Sequence, residues 1–262
     1  MKILLIGDIV GNPGREAVRA LVPQLRRRHD LDLVVANCEN IAGGAGVTPK
    51  TAQELFGSGV DFLTSGQHIW RYKEIMPYLN QEPRLIRPAN YPPGAPGAGA
   101  GIIAARDGTK VGVLNLVGRV FLETVDCPFR AAQREVERLR RETPVILVDM
   151  HAEATSEKIA MGWYLDGQVS AVVGTHTHIQ TADERVLPKG TAYLTDLGMT
   201  GPYDSVIGRR VDQIIERFLT GIPQKFEVPE TNVILCGAIL EVDAKTGRAE
   251  RLERVQERLL PL

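Results

Sequence analysis

The apolar residues of this chain collect in short runs rich in Val, Ile and Leu, at 2–6, 33–36, 60–64, 111–116, 145–148 and 169–173, each closed within two residues by a Gly, Asn, Asp or His. Polar or helix-forming sequence follows every run, which is the strand–helix alternation of an α/β fold. Amphipathic stretches at 15–28, 49–56 and 72–79, and later at 129–140, 156–164 and 208–219, are the helix candidates. Near the C-terminus 232–242 and 248–255 read as two strands joined by an Asp-Ala-Lys-Thr-Gly turn, so the last part of the sheet is predicted to be antiparallel.

Residues 88–101 are dense in Pro and Gly. A flexible interdomain linker has that composition, but strand candidates continue directly on both sides. The expectation is a surface loop crossing between two sheets of one domain, with residues 1–262 forming that single domain. A chain of 262 residues buries roughly 75% of its unfolded surface, so its core needs no disulfide or structural metal. Cys38, Cys127 and Cys236 are odd in number and widely spaced, making neither a disulfide framework nor a zinc pair, and reduced thiols are expected.

Charge narrows the function classes. With 31 Lys+Arg against 32 Asp+Glu the chain lacks the positive excess that duplex DNA or an anionic membrane favours, although a local basic pocket is compatible with it. Asp8 interrupts the first apolar run short of a signal-peptide core, and no stretch approaches the ~18 apolar residues of a membrane span. A cytoplasmic location is expected.

Four of the five histidines, His68, His151, His176 and His178, directly follow predicted strands; His29 does not. The carboxyl ends of strands are where sites form in α/β folds. Each residue alone has a plain alternative, a loop histidine or a turn- or cap-forming carboxylate. Together with Asp8 after the first strand and Glu39-Asn40 after the second, they exceed what packing requires. Imidazole mixed with carboxylate suits divalent Mn, Fe, Zn or Co, whereas Mg or Ca prefers oxygen alone. A carboxylate can bridge two cations about 3.5–4 Å apart, and Glu39 is the candidate bridge. Asp8, Glu39, Asn40, His151, His176 and His178, with one more donor near His68, supply enough ligands for two metals and leave room for water and substrate.

In order and spelling these residues resemble the calcineurin-like metallophosphoesterases. That family runs Gly-Asp, Gly-Asp-x-x-Asp, Gly-Asn-His, a lone His and Gly-His-x-His. This chain has Gly7-Asp8, Asn37-x-Glu39-Asn40, Gly66-Gln67-His68, His151 and Gly174-Thr175-His176-Thr177-His178. Val10 stands where the general family has the His of Asp-x-His, and Glu39-Asn40 replaces the usual Asp pair. These variants, with Gly-Asp-Ile-Val-Gly at 7–11, Asp149-Met-His-Ala-Glu-Ala-Thr-Ser-Glu-Lys158 and Asp196-Leu-Gly-Met-Thr-Gly-Pro202, are similar to the YmdB-type branch over nearly the whole length.

The resemblance implies an α/β sandwich of two mixed sheets flanked by helices, and a di-metal phosphodiesterase of bacterial cytoplasm acting on 2′,3′-cyclic and also 3′,5′-cyclic nucleotides. It implies two transition-metal ions per chain, iron or manganese with zinc as the alternative. Asp8, Asn40 and His178 would hold the first, Gln67, His151 and His176 the second, with Glu39 between them and His68 as proton donor. Gln67 departs from the family's Asn by one methylene and is still expected to ligate. Mechanistically, two cations neutralise the phosphodiester and activate a water for in-line attack. An imidazole with an ordinary pKa near ~6.5 is suited to protonate the departing ribose oxygen. The substrate is then a small cyclic nucleotide or an RNA phosphodiester.

Weaker candidates are Arg71, Arg119 and Lys158 for a phosphate oxygen, Asp149 and Glu153 for orienting His151, and the Gly-Asn-Pro-Gly turn at 11–14 for a phosphate on backbone amides. Two rivals stand beside this reading. One is dinucleotide binding through Gly7, Gly11 and Gly14 with Glu39 on the ribose, although the glycine spacing is not G-x-G-x-x-G and the histidines are left idle. The other is a non-catalytic regulator that binds a nucleotide or partner on the same scaffold. No pattern sets the oligomeric state; a homo-oligomer is the working expectation.

Overall fold

The computed structural model describes residues 1–260. Its first sheet is built on β1 (Lys2–Ile6), β3 (Leu33–Asn37) and β4 (Phe62–Thr64), mutually parallel. The C-terminal hairpin of β12 (Val233–Val242) and β13 (Ala249–Arg258) joins it antiparallel, with Ile3 opposite Leu240. Two short strands, β2 (Asp8–Ile9) and β11 (Met199–Pro202), extend it past β12, giving the order β2-β11-β12-β1-β3-β4 with β13 on the other edge of β12. The second sheet takes β5 (Ala100–Ala104), β6 (Lys110–Val117), β7 (Ile146–His151), β8 (Ala171–Thr175), β10 (Ala192–Leu194) and β9 (Arg185–Val186), in that spatial order.

The apolar runs become strands buried on both faces. Ile3, Leu5, Leu33 and Val35 point into the core shared with Val113, Leu147 and Val173 of the other sheet. Their neighbours Leu4, Val34 and Ala36 point outward, onto Val18, Leu21, Val22 and Leu25 of α1 (Gly11–His29) and Leu55 of α2 (Pro49–Gly57). Leu114, Leu116, Ile146 and Val148 similarly meet Ala132, Val136 and Leu139 of α4 (Pro128–Leu139) and Met161 of α5 (Thr155–Tyr164). Alternation along a strand sends successive side chains to opposite faces, so a four-layer stack requires apolar residues at every position. The result is a sandwich of two mixed sheets flanked by helices.

The Pro/Gly segment crosses from β4 in one sheet to β5 in the other. Arg87 fastens it, its guanidinium donating to the carbonyls of Pro88, Ala95 and Pro96 at 2.8, 3.2 and 3.2 Å. The hairpin turn forms at Asp243, whose carboxylate accepts from Lys245 N at 3.0 Å and Thr246 Oγ1 at 2.7 Å.

Three expected helices shift. The one at 15–28 begins four residues earlier, at Gly11. The one at 72–79 shortens to α3 (Ile75–Leu79), preceded by a 3-10 turn, Gln67–Arg71. The one at 208–219 begins later, as α6 (Val211–Thr220), because Gly208 lies at φ +91° in a tight turn closed by the Val206–Arg209 bridge. Cys38, Cys127 and Cys236 are free thiols. Among the described residues no helix is long and apolar enough to cross a membrane.

Candidate metal centre

Asp8, Glu39, Asn40, Gln67, His68, His151, His176 and His178 all arrive at one edge of the sandwich, where parallel strands end. Asp8 starts β2 directly after β1, Glu39 and Asn40 follow β3, and Gln67 and His68 open the 3-10 turn after β4. His151 is the last residue of β7, and His176 and His178 leave β8. Asp8, Glu39 and His151 are fully or almost fully buried, which burial of ionisable groups permits only with compensating partners.

Their hydrogen bonds determine which atoms face inward. Thr175 Oγ1 gives its proton to Asp149 Oδ1 at 2.7 Å, so toward His151 Nδ1, 2.8 Å away, it acts as acceptor. That turns Nε2 of His151 to the centre, 2.6 Å from Glu39 Oε2 and 3.1 Å from His176 Nδ1, where a proton bridges it to Glu39 and a cation would take that proton's place. His176 in turn commits Nε2–H to Glu153 Oε2 at 3.1 Å, and His178 commits Nδ1–H to the Ile207 carbonyl at 3.0 Å. Three imidazoles thus each spend one nitrogen on an acceptor behind them and present the other to the centre, the arrangement that fixes metal-ligating tautomers.

The oxygens match. Asp8 Oδ1 and Gln67 Oε1 are buried with no hydrogen-bond donor, and orphaned buried acceptors are costly unless something positive sits against them. Donor atoms of Glu39, His151 and His176 all lie within 4.8 Å of one another. Gln67 Nε2 approaches His176 Nδ1 at 3.3 Å. A second group forms around Asp8 Oδ1, 3.8 Å from His178 Nε2, with Asn40 Nδ2 3.2 Å from the same nitrogen. Glu39 lies between the groups, its Oε1 2.8 Å from His68 Nδ1. The mixture of imidazole and carboxylate donors fits a bound metal cation.

Electrostatics express the same demand. Burial disfavours the His151 imidazolium, but the Glu39 carboxylate beside it more than compensates and lifts the pKa to about 9. Burial also works against ionised Glu39, yet His151 and His68 hold it well below the usual carboxylate range. Burial pushes Asp8 up to about 6. His176 falls to about 3 through burial and the charge of His151, so it stays neutral with its lone pair available. Gly66 makes the space: an added Cβ would lie 1.6 Å from Glu39 Oε2 and 2.4 Å from His151 Nε2.

Several weaker expectations need correction. Lys158 is fully buried and bonds Asp196 Oδ2 at 2.6 Å, so it does not hold a phosphate. Arg71 and Arg119 are exposed and do not line the cavity over the centre. Glu153 orients His176 rather than His151, while Asp149 reaches His151 through Thr175. Residues 11–14 are the first turn of α1 rather than a turn before it, and both glycine amides are taken, Gly11 N by Asn40 O at 2.9 Å and Gly14 N by Val10 O at 3.1 Å, which speaks against the phosphate turn and the dinucleotide reading. Thr175 and Ile207 were missed. Thr175 is spelled inside the Gly-Thr-His-Thr-His motif; the Ile207 carbonyl has no sequence signal.

Residues 4–255 match the family model of the YmdB-like proteins. The chain belongs to the YmdB-like family. Among its relatives, the 2′,3′-cyclic-nucleotide 2′-phosphodiesterase of Bacillus subtilis is 48% identical over 255 residues, covering 97% of this YmdB-like chain and 96% of that protein. A putative phosphatase/phosphodiesterase of Mycoplasma genitalium is 35% identical, covering 98% and 92%. Two crystal structures superpose with TM-scores of 0.92: a hypothetical protein from Thermus thermophilus, 41% identical and covering 98% of this chain and 99% of that one, and a novel phosphatase from Mycoplasma pneumoniae, 33% identical and covering 98% and 93%.

Proposed function

We propose that this phosphoesterase is a di-metal phosphodiesterase that opens 2′,3′-cyclic nucleotides, and 3′,5′-cyclic ones, in the bacterial cytoplasm. The observation that carries the reading is that three imidazoles, each anchored through one nitrogen, turn the other toward the buried carboxylates of Asp8 and Glu39. Asp8, Asn40 and His178 would hold one ion and Gln67, His151 and His176 the other, with Glu39 shared; iron or manganese suits this mixture of imidazole and oxygen. When bound, such ions supply Lewis acidity toward the phosphate and an activated water.

The chain's own residues supply aim and protons. Asp149, through Thr175, keeps His151 in one tautomer, and Glu153 and the Ile207 carbonyl do so for His176 and His178. Water attack at phosphorus breaks one ring P–O bond, and the leaving ribose oxygen needs a proton. His68 is the donor. Its Nδ1 is steadied at 2.8 Å from Glu39 Oε1 and 2.9 Å from Asn40 Oδ1, which leaves Nε2 to deliver the proton into the cavity that His68 lines.

The test is metal content by elemental analysis beside hydrolysis of 2′,3′-cyclic AMP with added manganese, for the native chain and His151→Ala. About two metals per native chain, with metal and turnover both falling in the variant, is expected. No bound metal and no hydrolysis with any divalent cation would overturn the reading.

A further inference from the structure

The cavity over the metal centre has a second pole that the reaction at phosphorus does not use. It measures about 510 Å³, inside the range of small-molecule sites. One end is the cluster of Glu39, His68, His176 and His178; the other is walled by Ile207, Ile214, Phe218 and Phe226, with Arg209 and Arg217. Ile207 ties the two ends together, because its side chain lines the wall while its carbonyl holds His178 Nδ1 at 3.0 Å.

We propose that this wall is a nucleobase platform, on which the base of the substrate stacks against Phe226 and Phe218 while its phosphate meets the metal centre. The inference rests on the phosphodiesterase reading and adds what holds the rest of the nucleotide. Ile214, Arg217 and Phe218 lie three and four residues apart on α6 and share one face of it. The Arg217 guanidinium stacks over the Phe226 ring at 5.2 Å, making a flat, cationic aromatic surface of the kind that binds bases. Phe218 is 81% exposed, a large apolar ring that lines the same cavity as the polar cluster.

The chemistry of the wall also predicts what it ignores. Its polar side chains are two arginines, which donate only, and Arg209 is already engaged with the carbonyls of Gly43 and Gly44. The residues of this wall, Ile207, Arg209, Ile214, Arg217, Phe218 and Phe226, carry no side-chain acceptor to read a base's amino group. Every base offers a π face, so purines and pyrimidines are held alike, and a phosphodiester without a base loses the contact.

Calorimetric titration of the metal-loaded full chain with adenosine 3′-phosphate and with ribose 3-phosphate, beside turnover of 2′,3′-cyclic AMP, tests this for the native protein, Phe226→Ala, Phe218→Ala and Phe226→Tyr. Stacking of about 1–3 kcal/mol per base corresponds to a preference of the native protein for the base-bearing ligand of about 5- to 150-fold. That preference should shrink by a comparable factor in the alanine variants and survive in Phe226→Tyr, and KM for 2′,3′-cyclic AMP should rise with it. A native preference near unity, or alanine variants that weaken both ligands equally, would overturn the platform even if turnover is present. Retained discrimination that depends on Phe226 in a protein without turnover would uphold the platform and reject the phosphodiesterase reading instead.

Discussion

The buried pair of Lys158 and Asp196 should be the point at which folding and metal binding come apart. Both side chains are 0% exposed and Nζ lies 2.6 Å from Oδ2. Asp196 does more than neutralise the lysine: Oδ2 also accepts from Thr177 N at 3.2 Å and Thr177 Oγ1 at 2.6 Å, and Oδ1 from Gly198 N at 2.8 Å. Thr177 sits between His176 at φ +97° and His178 at φ +65°, left-handed conformations that cost about 1–3 kcal/mol each for a non-glycine residue. The pair therefore holds a strained loop whose two imidazoles face the metal centre. Lys158→Met keeps chain length and apolar bulk but strands a buried carboxylate, costing about 3–5 kcal/mol. At about 2–4 °C per kcal/mol for a chain of this size class, the melting point should fall by about 6–20 °C. Lys158→Met/Asp196→Leu removes both charges but strands the Thr177 and Gly198 donors, so only part of that loss should return, and with Thr177 untethered metal content at limiting manganese should stay low. Differential scanning calorimetry and elemental analysis on the same samples read both quantities. A single variant that melts with the native protein, or a double variant whose metal returns together with its melting point, would refute the reasoning.

Four further outcomes follow from the geometry of the centre. Gly66→Ala drives a methyl group into the Glu39 and His151 contact; it should lose metal by elemental analysis and cost about 1–3 kcal/mol of stability in denaturant melts. Thr175→Val removes the acceptor behind His151 Nδ1 without changing shape, and metal affinity measured by chelator competition should weaken about 10- to 100-fold. His68→Asn should lower kcat about 10²- to 10⁴-fold while both metals remain bound; parallel loss of metal would deny it the role of acid. In chelator-treated protein the fold retains the His151 proton up to about pH 9, whereas the unfolded chain releases it near the ordinary value of 6.5. The stability from that proton is fully present below pH 6.5 and is lost as pH rises through about 9, so the melting point should decline across that window; a flat profile would contradict the Glu39–His151 coupling.

The contrast between Lys158 and His151 explains how far the sequence was readable. His151, His176, His178, Asp8 and Glu39 stood out because metal chemistry accepts few residue types and the α/β pattern places strand ends together. The apolar runs were equally plain, since strands covered on both faces have no polar positions to obscure them. Lys158 reads in the sequence as a candidate for a phosphate oxygen, yet it shares its buried face of α5 with Met161 and Gly162, three and four residues on; a lysine in phase with the core stripe is the signal that marks it as buried. Glu153 was assigned to His151 because it lies two residues away, but the loop after β8 brings His176 to it instead. The short strands carry the same lesson. Asp8 and Ile9 pair with Met199 and Thr200 across only two residues, too few to show a period, although this pairing and the bond from His176 N to Asp8 Oδ2 at 2.9 Å set where the carboxylate points. Residues that coordinate are restricted by chemistry and can be picked out one at a time. Residues that aim them are selected by reach across the fold, so Thr175, Asp196 and the Ile207 carbonyl acquire their roles only when β7, β8 and the loop before α6 lie side by side.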